Sequence, residues 1–565
     1  MKKFQIIPLI AAFSLAVTML ASCASTDGSV DGDEIKTGIV GIEIPDIYDS
    51  EVIMTVENKI LDDFKPISIE NNLHADKVIT APTFDIADSL SDGGDYFTIS
   101  PLFNDYMVLQ ANMPVRIWGE CTLPGGVAVR VVNDETNAAQ TFYGNVNDGK
   151  FELYIGKFSY GGPYTISVIA SDSGSIEFYD VLFGEVFISG GQSNQGWGMS
   201  QCYDGNIDTL LYQDIIDDAD YENVRMSLVW PMQSDEPFDE LASGSMSKWG
   251  SLDSNRARNT PAAAFFFATR LYNHYKIPIG IITSCMGGTG IYAWYPQQDS
   301  AERGFNSDLS PSVWYNAMIN PIRKLTARGV IWYQGEGHHD GYADLLNGMI
   351  GAWRREFDNE TMYFSVVQLP RFMEEAPWFL CREEDKKVSE ITDNVTYSVN
   401  IDAGLYPENT AEGDPLNDSG IHPYDKKPVG ERLADATAAH FFGAGGVLRG
   451  PVIKSAKAIN DGVQLTFDNI GNGLILIGEA GFEIAGEDGI FKDVKPELYG
   501  ANTIFLRTDI HVVQVRYGQK NYSDFITKPV TSCAQSVCVY NTKEADDAIG
   551  YPLEQFLVSD IRLSH

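Results

Sequence analysis

Ser193 stands where a nucleophile is expected. It lies in the stretch Gly-Gly-Gln-Ser-Asn at residues 190–194, directly after the apolar run at 186–188. Two adjacent glycines allow backbone dihedral angles that a Cβ forbids and let another group approach closely, so a sharp turn out of a strand is predicted. A serine on such a turn attacks a carbonyl carbon when a neighbouring base takes its proton.

Histidine is the usual base for such a serine, because its pKa suits proton transfer near neutral pH. Among the eight histidines, His422 follows the last predicted strand, at 396–400, and precedes a predicted helix at 429–442. His338 and His339 form a second cluster that invites a metal interpretation. Consecutive side chains diverge, and no further ligands have the spacing of zinc sites, so a solvated loop is favoured. We expect no metal and no other cofactor.

The elements that position these residues alternate between strands and helices. Strands are predicted at 186–188, 279–283, 330–333, 363–367 and 396–400, and helices at 262–275, 313–326, 342–357 and 429–442. This alternation predicts an α/β fold with a parallel sheet covered by helices on both faces. The working residues of such sheets lie beyond the carboxyl ends of the strands.

Three turns are therefore expected at one edge of the sheet. The turn with Ser193 follows the first strand, the turn with Gly287 and Gly288 follows the second, and Gln334 and Glu336 follow the third. The loop of His422 belongs to the same edge.

The N-terminus has the features of an export signal. Two lysines precede the uncharged apolar stretch at 4–20, and Leu-Ala-Ser-Cys at 20–23 resembles a bacterial lipobox. We predict that residues 1–23 form a lipoprotein signal peptide, and that lipidated Cys23 anchors the chain to the bacterial cell envelope. An ordinary cleaved signal peptide is the alternative. The side of the membrane stays open.

The composition of the remaining chain indicates four segments. An acidic tether is predicted at 24–95, a β-sandwich at 96–180, the catalytic domain at 181–445 and a second β-rich domain at 446–565. The formal net charge of −38 argues against a nucleic-acid partner, since a polyanion would be repelled. Cys533 and Cys538 are close enough to close a small loop, but the sequence leaves the cysteine pairing and the oligomeric state open.

Four motifs together resemble the sialate O-acetylesterase family of SGNH hydrolases. The motifs are GQSN at 191–194, GGT at 287–289 with Trp294 downstream, WYQGE at 332–336, and IHP at 421–423 followed by Lys427 and GERLA at 430–434. Similar stretches at 107–110, 161–164 and 481–486 extend the likeness over roughly residues 96–560. Each motif is weak alone, but four in the same order on predicted strand ends are specific.

The resemblance implies a serine esterase. Ser193 would attack an acetyl carbonyl, and His422 would accept the proton and later activate water. On this basis we interpret the group that approaches the glycine pair as the ester carbonyl of a substrate. The implied oxyanion donors are the backbone N–H of Ser193, an N–H of the Gly287–Gly288 turn, and the side-chain amide of Gln334.

Further residues are predicted to bind substrate or to support the site. Gln192, Asn194 and Glu336 are assigned to support. Trp294, Gln195 and Arg258 are the candidate substrate contacts. Many relatives have methionine at the position of Gln195, and Arg258 is a candidate only because it is basic and lies in a predicted loop near the same edge.

SGNH hydrolases usually have a third catalytic residue beside the serine and the histidine, an Asp three residues before the histidine. This sequence departs from that pattern. Serine occupies that position here, and Asp418 is one residue further back. We favour Asp418, and Asp414 or a backbone carbonyl are the other arrangements.

The predicted reaction is removal of O-acetyl groups from sialic acids or sialoglycans. An acetyl esterase for a neutral polysaccharide such as acetylxylan is the main alternative. A non-catalytic surface lipoprotein that binds carbohydrate, and a metal-dependent hydrolase, are alternatives of other classes.

Overall fold

A computed structural model describes most of the chain after residue 96. The described residues are 97–122, 125–170, 174–203, 209–242, 244–337, 340–370, 372, 378–403, 421–423, 425–444, 449–477, 481–519, 539–542, 549–559 and 561. The predicted signal peptide with Cys23, the tether, His338, His339, Asp414, Asp418, Cys533 and Cys538 lie outside them. Among the described helices, none is long and apolar enough to cross a membrane.

The first strands share a hydrophobic core and pair antiparallel, except that β2 pairs parallel with β8. They are β1 (Phe97–Ile99), β2 (Val108–Gln110), β3 (Val115–Cys121), β4 (Gly126–Asn133), β5 (Ala139–Asn147), β6 (Lys150–Ile155), β7 (Gly161–Ala170) and β8 (Gly174–Gly191). Buried and exposed residues alternate in β6, so Phe151, Leu153 and Ile155 face the core. Strands β1 to β7 lie in the segment for which the sequence predicts a β-sandwich, 96–180.

Strand β8 belongs to two parts of the molecule. Its first half pairs antiparallel with β7, and residues 185–191 continue into the central sheet. The predicted domain boundary at 180 falls inside this strand. Glu185 marks the crossing point, where it is buried and accepts two hydrogen bonds from Arg328, at 2.6 and 2.9 Å, and one from Gln110 at 3.0 Å.

The central sheet carries the strands that the sequence predicts. Its order is β10-β9-β11-β8-β12-β13-β14, and every pair is parallel except β9 with β10. The added strands are β9 (Asp220–Leu228), β10 (Gly250–Asp253), β11 (Ile279–Cys285), β12 (Gly329–Tyr333), β13 (Tyr363–Val367) and β14 (Val395–Ser398).

Helices cover both faces of this sheet, which confirms the predicted fold class. They are α1 (Ser193–Gly196), α2 (Gln213–Asp217), α3 (Ser254–Asn259), α4 (Ala262–Tyr275), α5 (Gln297–Glu302), α6 (Tyr342–Glu356), α7 (Trp378–Ile391) and α8 (Lys427–Phe441). Alternate strand residues enter two cores. Ile188 packs in the core that α6 covers, and Phe187 packs in the core that α4 and α8 cover.

One predicted helix is wrong in type. The segment 313–326 contains a π-helical stretch, Tyr315–Ile319, and a 3₁₀ turn, Asn320–Ile322, instead of a regular helix. Pro321 has no backbone N–H to donate, so a regular hydrogen-bond ladder is interrupted there.

The C-terminal strands form three small sheets around a common core. They are β15 (Val452–Ile459), β16 (Gly462–Asp468), β17 (Leu474–Leu476), β18 (Phe482–Ala485), β19 (Lys492–Asp493), β20 (Pro496–Leu498), β21 (Thr503–Arg507), β22 (Gln514–Tyr517), β23 (Val539–Thr542), β24 (Ile549–Pro552) and β25 (Phe556–Val558). Helix α7 contacts this part of the chain. Its buried Arg382 donates to Gln555 Oε1 and to the Gly518 carbonyl, both at 2.7 Å.

Candidate active site

Ser193 begins α1 at the carboxyl end of β8. Gly191 just before it has φ +135°, and a Cβ there would lie 2.1 Å from the Tyr333 carbonyl oxygen. A Cβ on Gly190 would lie 3.0 Å from ring carbons of Trp332. The groups that approach the glycine pair therefore belong to β12, which corrects our interpretation of a substrate carbonyl there. The glycine permits two strand ends to pack closely, and Ser193 remains partly exposed beyond them.

His422 reaches Ser193 from the segment before α8. Its Nε2 lies 2.8 Å from Ser193 Oγ, within hydrogen-bonding distance. The imidazole also stacks on the indole of Trp197, with ring centroids 4.3 Å apart and an interplanar angle of 17°. Trp197 donates its indole N–H to the Gln201 carbonyl at 2.9 Å, which fixes the indole as a support for the imidazole plane.

The glycine turn after β11 packs directly on the serine. A Cβ on Gly287 would lie 3.2 Å from Ser193 Cβ, and the neighbouring Met286 N–H donates to the Gly191 carbonyl at 3.2 Å. Gly288 has φ +70° and faces open space. In the described part of the chain, the backbone N–H groups of Ser193, Gly287 and Gly288 have no acceptor. These groups are available to a bound oxyanion.

The side-chain amide of Gln334 is already hydrogen-bonded within the protein. Its side chain is fully buried, and its Nε2 donates to the Thr289 carbonyl at 3.1 Å and lies 3.4 Å from Gln192 Oε1. Its Oε1 accepts the hydroxyl hydrogen of Tyr342 at 2.5 Å. Since both amide hydrogens already have acceptors, the prediction of Gln334 as an oxyanion donor is wrong for this arrangement. The side chain instead ties the end of β12 to its neighbours.

Two predicted substrate contacts are inaccessible. Trp294 is fully buried and donates its indole N–H to Thr289 Oγ1 at 2.9 Å. Gln195 is also fully buried and donates to Ser189 Oγ at 2.7 Å. Both predictions are corrected, because each side chain faces the protein interior. Sequence spacing places these residues near the site but does not indicate the direction of their side chains.

Arg258 lies on α3 at the surface. Its guanidinium is 3.9 Å from the Asp217 carboxylate and 3.5 Å from Gln213 Oε1. The side chain is 44% exposed, so substrate binding by Arg258 stays a prediction.

The predicted supporting residues form a buried polar layer beneath the serine. Asn194 donates to Glu336 Oε1 at 2.7 Å, and Gln192 is only 8% exposed. Burial raises the pKa of Glu336 above its ordinary value, whereas the hydrogen bond from Asn194 and the positive charge of Lys426 oppose that rise.

No cluster of metal-ligating side chains occurs among the residues that the structure describes. Cys121, Cys202, Cys285 and Cys381 are buried, and Cys202 and Cys285 are free thiols.

Residues 184–438 match the family described as "Carbohydrate esterase, sialic acid-specific acetylesterase". The matched segment begins within β8 and ends within α8, so it contains the central sheet, Ser193 and His422.

Similar proteins span more than this segment. The sialate O-acetylesterase of Mus musculus is 26% identical over 442 residues, covering 66% of this chain and 79% of the mouse protein. The human sialate O-acetylesterase is 27% identical over 386 residues, covering 61% of this chain and 71% of its own. A solved carbohydrate acetylesterase from Xanthomonas citri is 30% identical, with a TM-score of 0.66 over 82% of this chain and 99% of its own.

Proposed function

We propose that this chain, which belongs to the family of sialic acid-specific acetylesterases among the carbohydrate esterases, removes O-acetyl groups from sialic acids. It is a carboxylic ester hydrolase. The observation that carries the mechanism is the 2.8 Å contact between Ser193 Oγ and His422 Nε2. Both atoms belong to partly exposed residues at the carboxyl edge of the central sheet, where a substrate can reach them.

The proposed reaction proceeds through an acetyl-enzyme. Ser193 Oγ attacks the acetyl carbonyl carbon while His422 Nε2 takes the hydroxyl proton. The backbone N–H groups of Ser193 and Gly287 stabilise the oxyanion of the tetrahedral intermediate. As the intermediate collapses, His422 returns the proton to the departing sugar oxygen. His422 then deprotonates a water molecule that attacks the acetyl-serine. It returns this proton to Ser193 Oγ as the bond between Oγ and the acyl carbon breaks and acetate leaves.

His422 needs a partner that holds its ring in the productive tautomer, and we assign this role to Asp418. Replacing Asp418 with alanine is expected to lower kcat by about 10⁴-fold, because the imidazole would lose the carboxylate that orients it and stabilises its charged form. Steady-state kinetics on the folded variant measure this. Turnover near the wild-type value would favour Asp414 or a backbone carbonyl in that role.

The substrate is tested by a paired assay on protein lacking residues 1–23. We expect kcat/KM for acetate release from O-acetylated sialic acid to exceed that from acetylated xylan. The reverse preference would identify a neutral-polysaccharide esterase, which is the second candidate because the solved relative from Xanthomonas citri is described as a carbohydrate acetylesterase. Sialic acid carries a carboxylate, and the exposed part of Arg258 is the cation that we propose for it.

We also propose export and attachment to the cell envelope through lipid on Cys23, which rests on the lipobox-like sequence at 20–23. Fractionation of cells that produce the chain with and without residues 1–23 tests this. Recovery of the full chain in the soluble cytoplasmic fraction would contradict it.

A further inference from the structure

The side chain of Asn194 holds both ends of the segment that carries His422. Asn194 Nδ2 donates to the carbonyl of Ile421, the residue before the histidine, at 2.9 Å. Asn194 Oδ1 accepts from the ammonium group of Lys426, on the other side of the histidine, at 2.5 Å. Asn194 directly follows Ser193 in the chain. One residue thus connects the nucleophile to both ends of the segment that supplies the base.

The orientation of this amide is fixed by its partners. A lysine ammonium group can only donate, and a backbone carbonyl can only accept, so Oδ1 must face Lys426 and Nδ2 must face Ile421. The second hydrogen on Nδ2 is donated to Glu336 Oε1 at 2.7 Å. Asn194 is 1% exposed. A buried amide with these three partners cannot turn over without losing hydrogen bonds in a site shielded from water.

Lys426 has an unusual environment for a lysine. It has no exposed surface, although a buried ammonium group is costly unless its charge is compensated. Its Nζ lies 5.3 Å from the centroid of the Tyr333 ring, a cation–π distance, and its charge interacts favourably with Glu336. Asn194 therefore lies between a buried cation and a buried carboxyl group.

Lys426 is also anchored to the helix that follows. Its carbonyl accepts the N–H of Gly430 at 3.0 Å in the first turn of α8. Gly430 packs against α4 so closely that a Cβ would lie 2.4 Å from the Ala263 carbonyl oxygen. The ammonium group thus projects from a backbone that the helix pair holds rigidly.

We propose that Lys426 is a positioning residue, whose ammonium group locks the Asn194 amide and thereby keeps His422 within hydrogen-bonding distance of Ser193. The inference rests on the proposed serine mechanism and deepens it. It assigns no contact between Lys426 and substrate. A displacement of about 1 Å between reacting groups can cost about a hundredfold in rate, so loosening this hold is expected to slow the chemistry.

The test compares Lys426→Met with Lys427→Met in the complete protein. Lys427→Met removes the same charge one position further along, from a side chain that is not bonded to Asn194. We expect Lys426→Met to lower kcat for an acetyl ester by about a hundredfold with KM unchanged, and Lys427→Met to retain the wild-type values. Labelling of Ser193 by a fluorophosphonate, which requires an activated serine but no sugar, should slow by the same factor. A wild-type labelling rate and kcat in Lys426→Met would overturn the inference.

Lys426→Met leaves Glu336 without its nearby cation, which could prevent folding. The double variant Lys426→Met/Glu336→Gln removes both buried charges and keeps an amide acceptor for Asn194. We expect this variant to remain slow, because Asn194 still lacks the donor that locks it. A return to the wild-type rate would show that only charge balance matters and would contradict the positioning role.

Failure of the proposed function gives a different result. In that case the wild-type protein itself would neither hydrolyse acetyl esters nor react with the fluorophosphonate. If the wild type reacts with both and Lys426→Met behaves identically, the esterase mechanism stands and only the role of Lys426 is wrong.

Discussion

Replacing Ser193 with alanine is expected to reduce kcat for acetyl release by about 10⁶-fold, since comparable serine hydrolases lose about that much with their nucleophile. Alanine removes only the hydroxyl, and the partly exposed position tolerates the loss of its contact with His422. The backbone N–H groups near Gly287 remain, so a small residual rate above that of water is expected.

Acetate release measured by a coupled assay reports this change, with melting temperature as the test of folding. Ser200→Ala is the matched control, since Ser200 is also a partly exposed serine just after the nucleophile turn. We expect Ser200→Ala to retain wild-type kcat. Equal activity of Ser193→Ala and the wild type would rule out a serine nucleophile at this position.

Replacing His422 with glutamine should have an effect of similar size. Glutamine fills much of the same space on the Trp197 indole, but an amide cannot take a proton from Ser193 or return it to the sugar oxygen. We expect a loss of about 10⁵- to 10⁶-fold in kcat, and no further loss in the double variant with Ser193→Ala, because the two residues act as a unit.

His511→Gln provides the control for this substitution. His511 is an exposed histidine among the C-terminal strands and should be replaceable without effect on turnover. Additive losses in the double variant of Ser193 and His422 would contradict a common step, and would indicate that the two side chains act separately.

The central sheet could be predicted because its signals are local. Strands such as β11 and β13 are short and largely apolar, and helix α4 has a clear start signal at Pro261. Helix α7 is not evident from the sequence, because charged residues interrupt its apolar pattern. Its stabilising contacts are tertiary and include Arg382 with the C-terminal strands and Asp385 with the Leu369 N–H. These tertiary contacts stabilise the helix, and the periodicity of the sequence does not reveal them.

The catalytic site was only partly predictable. The chain order of strands and turns was enough to place Ser193, Gly287 and His422 at one edge, since this follows from topology alone. The direction of each side chain does not follow from topology. Gln334 lies at the expected strand end, yet its amide binds Thr289 and not an open cavity.

The directions of the two lysine side chains after His422 also do not follow from the sequence. Lys427 belongs to the motif that resembles the family, whereas the buried lysine is Lys426. Which of two adjacent lysines faces inward depends on the backbone angles at the start of α8, where Lys426 has φ −92° and ψ −8°. The sequence also gives no signal for the stacking of Trp197 on His422, because the two residues are far apart in sequence and meet only in the folded chain.

The most direct test of the mechanism is to trap the covalent intermediate. Protein lacking residues 1–23 is mixed with an activated acetyl ester, quenched in acid within milliseconds and digested for peptide mass analysis. We predict that the peptide containing Ser193 gains the mass of one acetyl group, transiently in the wild type and never in Ser193→Ala. Full turnover without any acetylated Ser193 peptide, or with the acetyl group on another residue, would contradict the central role of the Ser193–His422 pair.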